Sequence, residues 1–211
     1  MNKILEIDEG NQSIELQAGV IIENANSSLE KKNFIFPLNM SSIGSSQVGG
    51  AIATNAGGMN VVRYGSMRNN ILALEVVLSN GEILSLGSNL IKDNTGYNLK
   101  DIFCGSEGTL GVITKARIKI YSKPIDHSTC FISINSIENV INIFKYVNKN
   151  FSDKIERIEF ISDLSFELCL KHKLLKKRFF QKKTKYYLLI KFIYFDDAQI
   201  HLESLEKFFI T

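Results

Sequence analysis

All 14 glycines of this 211-residue chain fall between Gly10 and Gly111, and the last hundred residues contain none. Phenylalanine runs the other way, with three of its 14 copies before Pro124 and eleven after it. Glycine serves where the backbone needs positive φ or a close approach. The first half is therefore expected to be built around backbone geometry, and the second around ordinary side-chain packing. Lys123-Pro124 marks the boundary, because a proline there follows an alternating strand. Two domains are expected, 1–124 and 125–211.

In the first half, Ile4–Ile7 and Ser13–Leu16 alternate around Glu9-Gly10-Asn11, which predicts a hairpin. A short helix is predicted over Ile22–Lys32, and residues 41–70 read as loop and turn, rich in Gly, Ser and Asn. Leu72–Leu78 and Glu82–Leu86 read as strands joined at Ser79-Asn80-Gly81, and Asn-Gly is a strong hairpin signal. Leu110–Tyr121 reads as another strand, with Thr114, Ala116, Ile118 and Ile120 on one face. Lys115, Arg117 and Lys119 lie on the other.

The second half predicts strands at Cys130–Ile134, Ile155–Ile161 and Tyr186–Phe195. Helices are predicted at Ile137–Val147, Leu164–Leu175 and Ala198–Phe209, with Ser162 or Asp163 able to cap the second. This βαββ-like series suggests an antiparallel sheet with helices on one face, an α+β layer.

Residues 1–124 carry 11 basic and 11 acidic side chains, whereas residues 125–211 carry 14 and 11 and hold the whole net charge of +3. That charge is too weak to imply nucleic acid. Eight of the 14 cations lie between Lys171 and Lys185 with no acid among them, a run that suits either a solvated loop or an anionic surface. Cys104, Cys130 and Cys169 form no CxxC and no disulfide framework, and His127, His172 and His201 lack metal-ligand spacing. No stretch approaches the roughly 20 apolar residues of a membrane span. A cytoplasmic chain in a reducing compartment is expected, with peripheral contact to the inner membrane left open.

Three segments carry chemistry. The first is Val48-Gly-Gly-Ala-Ile-Ala-Thr-Asn-Ala-Gly-Gly58, followed by Arg63-Tyr64-Gly65. Two Gly-Gly pairs let the main chain lie flat against a ligand, and its N–H groups can form a nest. Thr54 and Asn55 add a hydroxyl and an amide. The second is the polar run from Lys92 to Asp101, and the third is Gly105-Ser-Glu-Gly-Thr-Leu-Gly-Val-Ile-Thr114, a glycine turn entering a strand. Neither GxGxxG nor the P-loop pattern occurs. Physical reading alone reaches a flat, polar cofactor held by backbone contacts, with plain tight turns as the competing account.

From Ile4 to Pro124 the motifs resemble, in order and approximate spacing, those of FAD-linked oxidases of the vanillyl-alcohol oxidase / p-cresol methylhydroxylase superfamily. They are Phe36-Pro37-Leu38, GGAIATNAGG, RYG, LEVVLSNGEIL, KDNTGYNLKDIF and GSEGTLGVIT. The likeness is to the D-2-hydroxyacid dehydrogenase branch, which includes D-lactate dehydrogenases, the glycolate oxidase flavin subunit and D-2-hydroxyglutarate dehydrogenase. The resemblance implies an α+β fold: the C-terminal part of a PCMH-type FAD-binding domain, then the start of a ferredoxin-like α+β cap domain.

The resemblance also implies FAD contacts at Gly49, Gly50, Thr54, Asn55, Gly57 and Gly58, with Glu107, Gly108, Val112 and Ile113 as further contacts. Ser45 or Ser46 is expected to reach the cofactor from the preceding loop. The implied reaction is oxidation of a small 2-hydroxy acid to the 2-oxo acid, with hydride passing to FAD. No catalytic base and no metal ligand is assigned. Members carry an earlier RSGGT-like pyrophosphate loop and later substrate-binding residues, neither of which has a counterpart here. Asn39 stands where Asp is common. A chain truncated at both ends is expected, inactive alone and completed by companion chains. The alternative expectation is an inactive remnant or an interaction module.

Overall fold

The computed structural model describes residues 1–180 and 182–196. Its contacts divide the chain into Met1–Lys123 and Pro124–Thr211, which places Pro124 in the second unit.

The first unit is a five-stranded antiparallel sheet, ordered β1-β2-β6-β4-β5. The strands are β1 (Ile4–Asp8), β2 (Ser13–Gln17), β4 (Ile71–Val77), β5 (Ile83–Gly87) and β6 (Val112–Lys119). A small ladder joins β3 (Phe34–Ile35) to β7 (Tyr121–Ser122). The β4–β5 turn closes on Asn80-Gly81, where Gly81 takes φ +84°. Alternation sends Ile14, Leu16, Leu74, Val76, Ala116 and Ile118 to one face of the sheet. Helix α1 (Ile22–Glu30) packs there through Ile22, Ala25 and Leu29, spaced for one helical face. Each Ile, Leu or Val among them contributes roughly 1.5–3 kcal/mol on full burial.

Residues 41–70 are not simply loop, as the sequence suggested. They hold α2 (Val48–Ala53), α3 (Val61–Tyr64) and α4 (Met67–Asn70). Tertiary contacts stabilise α2: Val48, Ala51 and Ile52 are buried in the core, and Val48 N–H donates to Val20 O at 3.0 Å. A fifth short helix, α5 (Lys100–Phe103), precedes the Gly105 turn.

The opposite sheet face holds a buried charge. Arg117, on the face opposite Ala116 and Ile118 as the alternation predicts, is only 4% exposed despite its charge. Its guanidinium donates to Glu6 at 2.5 Å, to Glu15, and to Ser13 Oγ at 3.2 Å. Burial works against this charge, and the two carboxylates more than offset it.

The second unit is an antiparallel sheet ordered β8-β10-β9, built from β8 (Asp126–Ile134), β9 (Ile155–Ser162) and β10 (Tyr186–Tyr194). Helix α6 (Ile137–Phe151) starts at Ser136, whose hydroxyl accepts from Asn139 N–H at 3.2 Å. Its Val140 and Val147 pack on Leu188, Ile190 and Phe192. Helix α7 (Asp163–Lys171) is capped in the same way by Ser162. Its Phe166 stacks on Tyr187, with ring centroids 4.9 Å apart. Tyr187 and Leu188 are neighbours on one strand and point to opposite faces. The two helices therefore cover opposite faces, which corrects the expectation of helices on one face only. The helix expected at Ala198–Phe209 lies outside the described residues.

Candidate functional site

The site is set by how α2 begins and ends. Gly49 N–H donates to Ala18 O at 2.8 Å, and Ala18 N–H donates to Thr114 O at 2.9 Å. Segment 18–20 is thus held between α2 and β6. A Cβ on Gly49 would lie 2.7 Å from Ala18 Cβ, so only glycine permits this approach. At Gly50 the reverse holds: an added Cβ would meet nothing within 4 Å. Its backbone borders open space.

The end of α2 is a Schellman motif. Asn55 adopts φ +47°, Asn55 N–H donates to Ile52 O at 3.0 Å, and Ala56 N–H donates to Ala51 O at 2.7 Å. The Asn55 side-chain oxygen accepts from Arg68 N–H at 3.0 Å. Thr54 Oγ1 donates back to Gly50 O at 3.0 Å. Gly58 allows another close approach, since a Cβ there would lie 2.3 Å from Asn39 O.

The Gly105–Thr109 turn docks on the same helix end. Gly105 N–H donates to Ile52 O at 3.0 Å and Glu107 N–H to Ala53 O at 2.9 Å. Gly105, Glu107 and Gly108 take φ +83°, +51° and +77°. An added Cβ on Gly108, like one on Gly50, would meet nothing within 4 Å. Arg68 secures the turn from behind, its guanidinium donating to the carbonyls of Asp101 and Cys104. Cys104 is buried beside it; burial pushes its thiol pKa up, with the Arg68 charge opposing.

Between these segments lies a cleft of about 320 Å³, bordered by Ala18, Gly19, Gln47, Gly49, Gly50, Ala53, Gly108, Gly111, Val112 and Ile113, with Met1 at its edge. Of the ten residues singled out from the sequence, Gly49, Gly50, Gly108, Val112 and Ile113 border this cleft. Thr54, Asn55, Gly57, Gly58 and Glu107 do not; they form the turns that shape and brace it. Ser45 and Ser46 do not border it either, and their hydroxyls bond to Ser42 O and Ser42 Oγ.

Sequence reasoning missed Ala18, Gly19, Ala53 and Gly111 as lining, and Arg68 as a brace. Gly111 stands inside a quoted motif, and its Cβ would lie 2.7 Å from Val76 Cγ1. Arg68 carried no local signal, because its partners are main-chain carbonyls 33 and 36 residues away.

The lining is nearly all small or aliphatic, with Gln47 the one polar side chain, so a ligand's polar edges would meet main-chain groups. Gly50 and Gly108 leave room where side chains would stand. This suits a planar, largely uncharged ring system better than a phosphate, which needs cations or a donor nest. A volume of about 320 Å³ sits at the low end of the roughly 300–1,000 Å³ of ligand pockets, room for one ring system and not a whole dinucleotide.

A sheet-and-helix domain of the α+β type with a glycine-lined cleft suits a flat cofactor ring, and comparison with known proteins specifies which cofactor. Residues 1–87 match the family described as FAD binding domain. Alkyldihydroxyacetonephosphate synthase has the same fold, with a TM-score of 0.73 and 24% identity over 92% of this chain and 37% of that one. Residues 1–87 are thus an FAD binding domain, whose cofactor is FAD. The chain as a whole is similar to the D-2-hydroxyacid dehydrogenases. It is 36% identical to the mitochondrial D-2-hydroxyglutarate dehydrogenase of Arabidopsis thaliana over 210 residues, all of this chain and 37% of that protein. It is 40% identical to a D-2-hydroxyglutarate–pyruvate transhydrogenase of Saccharomyces cerevisiae over 172 residues, 82% of this chain and 35% of that protein. The corresponding D-2-hydroxyglutarate dehydrogenase of Danio rerio is 39% identical over the same length. The chain spans about a third of the length of these relatives.

Proposed function

We propose that this chain forms the flavin-side wall of an FAD-dependent 2-hydroxyacid dehydrogenase. Such an enzyme oxidises a small acid such as D-lactate, glycolate or D-2-hydroxyglutarate to its 2-oxo acid. The observation that carries this reading is the cleft in which Gly50 and Gly108 face open space while Gly49 and Gly111 allow close backbone packing. Bound there, FAD supplies the hydride acceptor.

The chain's own residues do the holding. Gly50, Gly108, Val112 and Ile113 would contact the ring. Asn55, Gly57, Gly58, Thr54 and Glu107 would act through the turns that set its walls. Val112 and Ile113 would exclude water from one side, which strengthens every polar contact made there. Groups that bind the acid's carboxylate and remove its hydroxyl proton are assigned to the remainder of the assembled enzyme, in the same polypeptide or in a companion chain.

The test is dye reduction by the three acids, with this chain alone and combined with the products of neighbouring reading frames. Flavin-coloured protein that reduces the dye in the completed mixture supports the reading. A completed mixture that binds flavin but oxidises none of the acids would overturn the substrate class, and one that binds no flavin would overturn the whole reading.

A further inference from the structure

We propose that the lysine-rich segment between α7 and β10 docks on an anionic phospholipid bilayer. Eight cations lie between Lys171 and Lys185, and two of them pair with acids of α7. Arg178 pairs with Asp163 at 3.4 Å and with Glu167, donates to Tyr187 Oη at 2.7 Å, and lies 5.1 Å over the Phe166 ring. Lys183 pairs with the same two acids, at 2.9 and 3.1 Å. These contacts consume the nearby carboxylates. The other six, Lys171, Lys173, Lys176, Lys177, Lys182 and Lys185, are exposed and form no ion pair among the described residues.

Charge alone would suit any polyanion. The apolar residues set among the lysines select the bilayer. Leu174 is 76% exposed and Phe179 is 61% exposed. Both ride on α7: Leu174 N–H donates to Cys169 O at 2.9 Å, and Phe179 sits edge-on to Phe166 at 6.3 Å. On α7 itself Leu164 and Leu168, one turn apart, are 70% and 46% exposed. Lysines around protruding Leu and Phe match the headgroup–acyl boundary, where cations meet lipid phosphates and apolar side chains enter below them. A nucleic acid would reward the lysines and leave Leu174 and Phe179 in water. The exposed cations here also lack arginine, the usual bidentate reader of base edges. Phe180 anchors the segment at one point, packing on Tyr187 and Phe131 at 5.6 and 5.2 Å.

The test is co-sedimentation of the full chain with vesicles of phosphatidylcholine alone or mixed with phosphatidylglycerol. Binding to the anionic vesicles only is expected. Lys173→Gln, Lys176→Gln and Lys177→Gln together should lower the partition about a hundredfold, at about fivefold per lysine. Leu174→Ser with Phe179→Ser should remove the binding that survives high salt. All five positions are exposed, and circular dichroism checks that the fold is kept. Equal binding to neutral vesicles, or partition unchanged by the triple substitution, overturns the proposal. Binding to a single-stranded oligonucleotide without binding to vesicles overturns it too, in favour of a nucleic-acid surface.

Discussion

The side-chain oxygen of Asn55 accepts the backbone N–H of Arg68 at 3.0 Å, while Arg68 reaches on with its guanidinium to the carbonyls of Asp101 and Cys104. One amide and one guanidinium thus join the end of α2, the start of α4 and the turn that borders the cleft. The wall of the proposed flavin site is held from outside the cleft, by residues that never enter it.

Removing either brace should cost stability. Arg68→Met strands two carbonyl oxygens, each at about 1–3 kcal/mol if it stays buried. Asn55→Gly keeps the positive φ and loses the bond from Arg68 N–H, about 1 kcal/mol, and the weaker one from the Cys104 thiol. Asn55→Ala loses the same bonds and also strains the backbone, a further 1–2 kcal/mol or so. Urea unfolding should rank the three as Gly, Ala, then Met in increasing damage. Equal midpoints for the two Asn55 variants would show that the left-handed conformation is not held.

The adjacent glycines Gly49 and Gly50 should respond in opposite directions. Gly49→Ala drives a methyl to 2.7 Å from Ala18 Cβ and should destabilise by about 1–3 kcal/mol. Gly50→Ala meets no atom within 4 Å inside a helix and should stabilise by about 0.5–1 kcal/mol. Thermal melts of the two variants check this, and the same sign for both would contradict the packing described.

Glu75 predicts an acid limb. The Thr114 hydroxyl, which donates to it at 2.8 Å, holds its carboxyl below the usual glutamate range; partial burial opposes this and Lys115 at 3.2 Å assists. A folded-state pKa below the unfolded one means the unfolded chain binds the proton more readily. The contribution is then complete above the unfolded value and is lost as pH falls through the folded one. Glu75→Gln should flatten that part of the stability–pH curve, and Thr114→Val should reduce it. A curve unchanged by both would remove this pair from the account.

Cys104 should resist alkylation in the native protein. It is buried and its thiol pKa is raised by that burial, so little thiolate is present or reachable. Mass mapping after iodoacetamide should find Cys104 modified only when the chain is unfolded in denaturant. Native modification at a rate equal to that of Cys169 would show that the turn opens freely.

The parts legible in the sequence were those governed by local chemistry. The Glu9-Gly10-Asn11 and Asn80-Gly81 turns, the burial of Ala116, Ile118 and Ile120, and the Ser162 cap all follow from neighbours in the chain. What was not legible depends on distant partners. Helix α2 looked like loop because its two glycines lower helix propensity, and its stability comes from Val20, Ala18 and the core instead. The burial of Arg117 was not visible because its partners Glu6 and Glu15 lie over a hundred positions away. Of the ten residues marked for the cofactor, half border the cleft and half build its turns, a distinction that motif order does not encode.

The most direct test of the account is an FAD titration of the chain and of Gly50→Leu, followed by quenching of flavin fluorescence. Leucine suits a helix and would project into open space, so the fold should be kept while the cleft is filled. The account predicts saturable FAD binding to the unaltered chain and at least a tenfold loss in Gly50→Leu, about 1.4 kcal/mol. Equal FAD affinity in the two proteins, or no saturable binding to the unaltered chain, would contradict the claim that this cleft is the flavin site.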